Sequence, residues 1–161
     1  MPIKGFFPTG YHLLPAPYVQ AYFFLPRQNA HGLMSFMIDT GADSTTLSLI
    51  DVERVNLSYR KLRRASLTGV QGIAGEQSFY QEEAFLMFRE EDSTTYFFSL
   101  DVHIPKKGNL SHDRELQRRL PSVLGRDILN QCNLEINYQR GIIELTPPEG
   151  AKRPVPTRRL L

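Results

Sequence analysis

The sequence predicts an all-β domain with one or two short helices. Apolar and polar residues alternate at 18–25 and at 96–104, which is the period-two pattern of half-buried strands. Between these runs, residues 66–88 contain two β-rich segments on either side of a tip with three glycines in seven residues. Helical signals are confined to short segments, so strands are expected to form most of the core.

The length and the single cysteine limit the kind of domain that this chain can form. A chain of 161 residues fits one domain, which can bury roughly two thirds of its unfolded surface without covalent cross-links. Cys132 has no partner for a disulfide, and the N-terminus shows no charged-then-apolar leader, so we expect a cytoplasmic protein in a reducing environment. No apolar run approaches the roughly 18 residues of a membrane span, and no membrane association is expected.

The charge distribution divides the chain into a body and a basic end. Residues 149–161 carry four basic residues and one acidic residue, whereas the rest carries 15 basic and 16 acidic residues. That balance predicts no nucleic-acid surface. The proline- and arginine-containing segment 148–161 is predicted to be a flexible tail, residues 1–16 an extended arm, and 17–147 the folded domain.

The first predicted hairpin leads to a conspicuous aspartate. Its first strand spans 18–25, and the segment 26–32 is rich in turn-forming residues. Its second strand, 33–38, is largely apolar and ends at Asp39. The hairpin therefore places a carboxylate at the end of a paired strand.

Short helices and a closing hairpin follow from local signals. Ser48, with Asp51 three residues later, has the form of a capping box that opens a short helix. Short helices are also predicted at 111–120, where Leu116 and Leu120 are spaced i, i+4, and at 126–131. Two apolar runs joined by a turn predict a hairpin over 134–145.

The strand at 96–104 is the most clearly amphipathic. Alternate residues from Tyr96 to Ile104 are apolar, and His103 lies on the opposite face, where we expect it to be exposed. The four histidines show no metal-ligand spacing. The sequence therefore predicts neither a metal site nor a cofactor.

The glycine-rich tip has two possible meanings, a phosphate-binding loop or a hairpin tip. A phosphate loop should open a helix and carry a Lys-Ser/Thr pair, or lie in a βαβ unit. Here the loop leads into β-branched and aromatic residues without such a lysine. A hairpin tip fits better.

The segment around Asp39 is where chemistry is most strongly indicated. An apolar run ends in Asp39-Thr40-Gly41, and Gly41 permits a sharp bend from which the carboxylate can project. A carboxylate held in this way is suited to acid–base catalysis. Asp-Thr-Gly is also a good turn tripeptide, and most such turns have no catalytic role.

Three segments, in order, resemble the retropepsin-like aspartic proteases, the family of the retroviral proteases and their cellular and bacterial relatives. Residues 39–42 resemble the family signature, 72–75 the tip of its flap, and 121–129 its apolar-apolar-Gly-Arg-Asp/Asn segment. The resemblance covers roughly residues 17–146. It implies a retropepsin-like fold, a closed, barrel-like β domain with a flap hairpin and one lobe per chain.

The resemblance also implies roles for individual residues. Asp39, Thr40 and Gly41 would be catalytic, with Thr40 bracing two turns against each other. Asp43, Gly125 and Arg126 would be structural, with an ion pair between Asp43 and Arg126 beneath the active site. Asp127, which stands where the family often has Asn, would tolerate substitution better than Arg126. Substrate binding would fall to Ala42, Asp43, Val70, Gly72, Ile73, Ala74, Gly75, Pro121 and Val123.

The expected chemistry requires a second chain. Acid–base peptide hydrolysis needs two carboxylates, and no second Asp-Thr/Ser-Gly occurs in the sequence. A two-fold homodimer would bring Asp39 of each copy together around a polypeptide substrate. The alternative is a non-catalytic dimeric domain of the same fold that only holds a peptide or protein. A third interpretation, an unrelated all-β interaction domain, would require all three sequence matches to be accidental. The closing hairpin at 134–145 is a departure from the retroviral proteases, and it leaves the exact dimer interface undefined.

Overall fold

The computed structural model describes residues 2–10, 13–62, 68–72, 75–90, 94–108 and 110–151, with the backbone alone for 68–72 and 75–77. The strands in this part of the chain are β1 (Ile3–Lys4), β2 (Tyr18–Leu25), β3 (Ala30–Ile38), β4 (Thr68–Gly72), β5 (Gly75–Arg89), β6 (Thr95–Pro105), β7 (Ser122–Leu124), β8 (Asn133–Asn137) and β9 (Ile142–Thr146). The α-helices are α1 (Leu49–Arg54), α2 (Ser111–Arg118) and α3 (Arg126–Leu129). None of the helices in the described ranges is long and apolar enough to cross a membrane.

Two sheets organise these strands. The larger contains β4, β5, β2, β3 and β7 in that order, with β6 paired along the length of β5. The smaller has the order β1-β9-β8. The described chain is thus mostly β, a curled half-barrel with a few short helices, which confirms the predicted fold class and the single lobe per chain.

The alternation of β2 produces the core as predicted. Val19, Ala21, Phe23 and Leu25 are all essentially inaccessible to solvent. They pack with the inward residues of β3, β5 and β6 in one apolar cluster. Because apolar burial is the main stabilising contribution to folding, this cluster is the framework on which the strand ends are held.

The hairpin that leads to Asp39 is longer than predicted. Strand β3 begins at Ala30 rather than at residue 33, because a 3₁₀ turn at Pro26–Gln28 and Asn29 in the left-handed conformation reverse the chain within four residues. The strand ends at Ile38 as expected. Its last residues pair in parallel with β7, with Ile38 opposite Leu124, so Asp39 and Gly125 leave the sheet side by side.

The predicted N-cap forms, but the reciprocal half of the capping box does not, because Ser122 rather than Asp51 accepts the Ser48 N–H. The Ser48 hydroxyl accepts the Asp51 N–H at 3.1 Å and begins α1. The Ser48 N–H donates to the Ser122 hydroxyl at 2.8 Å, and that hydroxyl donates to Asp51 Oδ2 at 2.6 Å. Ser122 therefore ties the start of α1 to β7.

The predicted exposure of His103 is wrong. Its side chain is buried, and its ring stacks on Phe79 with centroids 5.5 Å apart. Gln81, the cross-strand partner of His103, places its Nε2 2.7 Å from His103 Nε2. The segment 45–47 also exchanges backbone hydrogen bonds with His103, so the chain surrounds this residue, whereas Ser99 and Asp101 on the same face of β6 stay exposed.

The division of the chain into an arm at 1–16, a domain at 17–147 and a tail at 148–161 stays a prediction. Within the described residues, β1 pairs with β9, and Phe6 exchanges backbone hydrogen bonds with Tyr18. At the other end, Glu149–Ala151 forms a 3₁₀ turn. Residues 152–161 of the predicted tail lie outside the described residues.

Candidate active site

Asp39 is the first residue beyond β3 and forms a tight turn. Its N–H donates to the Leu124 carbonyl at 3.2 Å, which continues the parallel pairing of β3 with β7. Its Oδ1 accepts the Gly41 N–H at 2.8 Å, and its carbonyl accepts the Ala42 N–H at 3.2 Å. The half-buried carboxylate is therefore oriented by the backbone of its own turn.

The segment that begins at Gly125 supports this turn through backbone contacts. Arg126 N–H donates to the Ala42 carbonyl at 2.9 Å, and Asp127 N–H donates to the Asp43 carbonyl at 3.1 Å. A Cβ at Gly125 would lie 2.5 Å from the carbonyl carbon of Ser44, so no other residue fits there without displacing the backbone. The two sequence segments thus form one unit.

The expected ion pair between Asp43 and Arg126 is present. Arg126 Nη2 donates to Asp43 Oδ1. The pair is exposed, because 46% of the Arg126 side chain and 81% of the Asp43 side chain remain accessible in the single chain. Within one chain it is a surface pair, which ordinarily adds little stability.

Asp127 has a stronger structural role than the sequence indicated. We expected it to tolerate substitution better than Arg126. Instead its carboxylate accepts hydrogen bonds from the Thr45 N–H, the Thr45 hydroxyl and the Ile128 N–H. That expectation lacks a physical basis, because removal of Asp127 would leave the buried Thr45 without these acceptors.

Asp39 borders a cavity of about 300 Å³. The cavity brings together four of the predicted site residues, namely Asp39, Ala42, Pro121 and Val123. The other lining residues are Met37, Thr46, Leu47, Ser48, Leu49, Phe79, Pro105, Gln117 and Leu120. Among the described lining residues, Asp39 is the one ionisable side chain, so a carboxylate lies at the edge of an otherwise neutral and mainly apolar site.

The remaining predicted residues lie elsewhere, and their roles stay predictions. Thr40 and Gly41 are exposed in the turn. Val70, Gly72 and Gly75 belong to the hairpin of β4 and β5, in which Gly72 lies opposite Gly75. Ile73 and Ala74, predicted for the flap tip, lie outside the described residues.

Seven lining residues with apolar or long side chains were not predicted from the sequence. They are Met37, Leu47, Leu49, Phe79, Pro105, Gln117 and Leu120. Met37 could have been identified, because it lies two residues before Asp39 and residues two apart in an extended chain project to the same side. Phe79 and Pro105 come from β5 and β6, Gln117 comes from α2, and Leu120 lies two residues after α2. No local pattern indicates that those elements meet beside Asp39.

The wall formed by Phe79 is backed by a neutral histidine. Burial lowers the pKa of His103 below its ordinary value, although the Asp127 and Asp101 carboxylates oppose this effect. His103 and Phe79 therefore stack as two uncharged rings near neutral pH. Among the described residues, no group of three or more His, Cys, Asp or Glu could hold a metal ion.

Comparisons with known proteins agree with this geometry. The family model of the retroviral aspartyl proteases matches residues 26–137, a range that includes the Asp39 turn and the Gly125 segment. Among solved structures, the chain is similar to a retropepsin-like aspartic protease from Rickettsia conorii. Sequence identity is 18%, the likeness covers 90% of this chain and 89% of that chain, and the TM-score is 0.50, which supports the fold alone.

A search of curated proteins finds no match. The family model nevertheless spans well over half of the chain, and its range contains the Asp-Thr-Gly turn and the segment that supports it. The chain therefore belongs to the retroviral aspartyl protease family.

Proposed function

We propose that this protein is an aspartic endopeptidase whose active site combines Asp39 from two copies of the chain. The observation that carries the proposal is the position of Asp39. Its carboxylate is oriented by the Gly41 N–H at the edge of a mainly apolar cavity, where it is the one acidic side chain among the described lining residues. This is the arrangement expected of one half of an acid pair.

Peptide hydrolysis by water requires two proton-transfer groups. One carboxylate takes a proton from the attacking water, and the other acid protonates the carbonyl oxygen. Two adjacent carboxylates do this well, because they cannot both ionise easily and so share one proton. The described lining residues offer one such group per chain, and a second copy would supply the other.

A homodimer with a two-fold axis between the Asp39 turns meets this requirement. The exposure of Thr40 and Gly41 leaves that turn available to a second copy. In such a dimer Thr40 would brace the two turns, and Asp43 and Arg126 would lose solvent. The hairpin of β4 and β5 would act as a flap over an extended polypeptide held mainly through its main chain.

Cleavage of a peptide library derived from a proteome tests the proposal. Wild type should cleave across a defined pH range, Asp39→Asn should lose turnover by several orders of magnitude, and Asp101→Asn, which changes an exposed acid on β6, should cleave normally. A chelator should have no effect. Unchanged cleavage by Asp39→Asn would contradict the proposal, and peptide binding without cleavage by wild type would favour a non-catalytic peptide-binding domain.

A further inference from the structure

Glu82 is a buried carboxylate on the core side of β5. Its side chain is only 2% exposed, and the next two residues on the same face, Ala84 and Leu86, are fully buried residues of the apolar core. Burial of a carboxylate is costly unless hydrogen bonds and an opposite charge compensate for it. An acidic residue at a core position of this strand therefore requires a partner of opposite charge.

Arg27 is that partner, and it also reaches a second segment of the chain. Its Nη1 donates to both Glu82 carboxylate oxygens, at 2.6 and 2.7 Å. Its Nη2 donates to the Lys61 carbonyl at 2.9 Å. Because Arg27 lies in the 3₁₀ turn between β2 and β3, one guanidinium joins this turn both to β5 and to the chain at residue 61.

The same turn holds the segment 58–61 at a second point. The Gln28 side chain donates to the Ser58 carbonyl at 3.2 Å and accepts the Ser58 N–H at 2.7 Å. The Tyr59 hydroxyl donates to the Pro105 carbonyl at 2.8 Å and ties the segment to β6. The backbone of residues 58–61 is therefore fastened to the body of the domain mainly by two adjacent side chains of one turn.

The two segments that Arg27 joins are the two arms of the β4–β5 hairpin, just outside its paired region. Thr68, the first residue of β4, pairs with Phe79 of β5, and Phe79 lines the candidate active-site cavity. Lys61 lies seven residues before Thr68, and Glu82 lies three residues after Phe79. Arg27 therefore holds the base of the hairpin on both sides, although it is not among the described residues that line the cavity.

The chemistry of arginine suits this bridge. Its two terminal nitrogens bond two different groups here, whereas lysine offers a single nitrogen on a flexible stem and cannot reproduce the fixed geometry. A buried ion pair is in general weak evidence for stability, because well-packed apolar residues can often replace it without loss. The position of this pair at the base of the hairpin is therefore more informative than its energy.

We propose that Arg27 is a positioning residue of the peptidase, which acts through Glu82 and the Lys61 carbonyl to set where the β4–β5 hairpin stands over the cavity. This inference rests on the proposed function, in which that hairpin covers the bound polypeptide. A hairpin with a loosened base occupies the substrate-binding position for a smaller fraction of the time, and the apparent affinity falls by that fraction. Because saturating substrate restores the position, loss of the bridge should raise KM and leave kcat nearly unchanged.

Three variants separate this role from a contribution to stability. Arg27→Lys keeps the positive charge but lacks the second nitrogen that completes the bridge. A double variant, Arg27→Met with Glu82→Leu, replaces the pair with apolar side chains and leaves no buried charge alone. Arg54→Lys is the matched control, because Arg54 also donates to a carboxylate, that of Asp51 at 2.8 Å, and to a carbonyl, that of Leu33 at 2.7 Å, but contacts neither arm of the hairpin through them.

The measured quantities are kcat and KM for a cleavable polypeptide, together with the free energy of unfolding of each protein. Arg27→Lys and the double variant should each raise KM about tenfold with kcat within about twofold of wild type, and Arg54→Lys should keep both constants. A variant that only has fewer folded molecules would show a lower kcat and an unchanged KM. That pattern, or a wild-type KM in both Arg27 variants, would overturn the inference while leaving the peptidase function intact.

Failure of the peptidase function gives a different result. If wild type cleaves no peptide, backbone hydrogen exchange of the same four proteins is followed by mass spectrometry, because exchange reports local opening without any substrate. Faster exchange within residues 68–79 in Arg27→Lys and in the double variant, but not in Arg54→Lys, would support Arg27 as the anchor of the hairpin in a domain without catalysis. Equal exchange in all four proteins would overturn the inference.

Discussion

Asp127 holds Thr45 through both of its carboxylate oxygens. Oδ1 accepts the Thr45 hydroxyl at 2.7 Å, and Oδ2 accepts the Thr45 N–H at 2.9 Å. The Thr45 hydroxyl in turn accepts the Gly125 N–H at 3.1 Å. Thr45 is completely buried and lies six residues after Asp39, so this contact fixes the chain that leaves the active-site turn.

Asp127→Ala should therefore destabilise the fold. Hydrogen bonds to a charged acceptor typically contribute about 1.5–3 kcal/mol, and the buried Thr45 groups would lose theirs. The measurement is urea unfolding at one fixed protein concentration, since any dimerisation adds to the apparent stability. Asp101→Ala is the control, and its loss should be within about 0.5 kcal/mol because its side chain is exposed. Equal losses in the two variants would show that Asp127 does not support the turn.

The parts of the fold with strong local signals could be predicted from the sequence. Strand β2 has the predicted bounds because its apolar residues alternate without interruption. Helix α1 begins at the predicted cap because Ser48 and Asp51 can satisfy each other within one turn. The position of Asp39 at a strand end followed from the apolar run before it.

Features that depend on distant partners could not be predicted in this way. His103 alternates as an outward residue of β6, and its burial depends on Phe79 and Gln81 of β5 and on the segment 45–47, which is distant in the chain. The contact of Asp127 with Thr45 joins residues 82 apart in the chain. The same limit applies to Leu120, which lines the cavity with Asp39 although 81 residues separate the two in the sequence.

Burial of His103 should make stability depend on pH. The lowered pKa keeps the ring neutral in the folded state, whereas the unfolded chain binds a proton below about pH 6.5. The stabilising contribution is therefore present above about pH 6.5 and is lost as the pH falls through the lower folded pKa. Unfolding free energies of wild type and His103→Gln, measured from pH 8 to 5, should differ in slope over the acidic part of this range. Parallel curves would show that His103 titrates normally in the fold.

The Cys132 thiol should react slowly with alkylating reagents in the native protein. Desolvation by burial raises its pKa to about 11 from an ordinary value of 9.0. Because the thiolate is the nucleophile, alkylation by iodoacetamide at pH 8 should be about a hundredfold slower than in the urea-unfolded protein. The thiol's contribution to stability is present below pH 9 and is lost as the pH rises towards 11. Equal alkylation rates in the folded and unfolded states would contradict this environment.

The central claim is that the catalytic pair consists of one Asp39 from each of two chains. The most direct test mixes wild type with Asp39→Asn at constant total protein and lets the subunits exchange. If both copies must supply the carboxylate, activity in an equal mixture should fall to about one quarter of the wild-type value, because mixed dimers are inactive. The decline should follow the square of the wild-type fraction. A fall to about one half, linear in the wild-type fraction, would mean that each chain acts alone and would contradict the account.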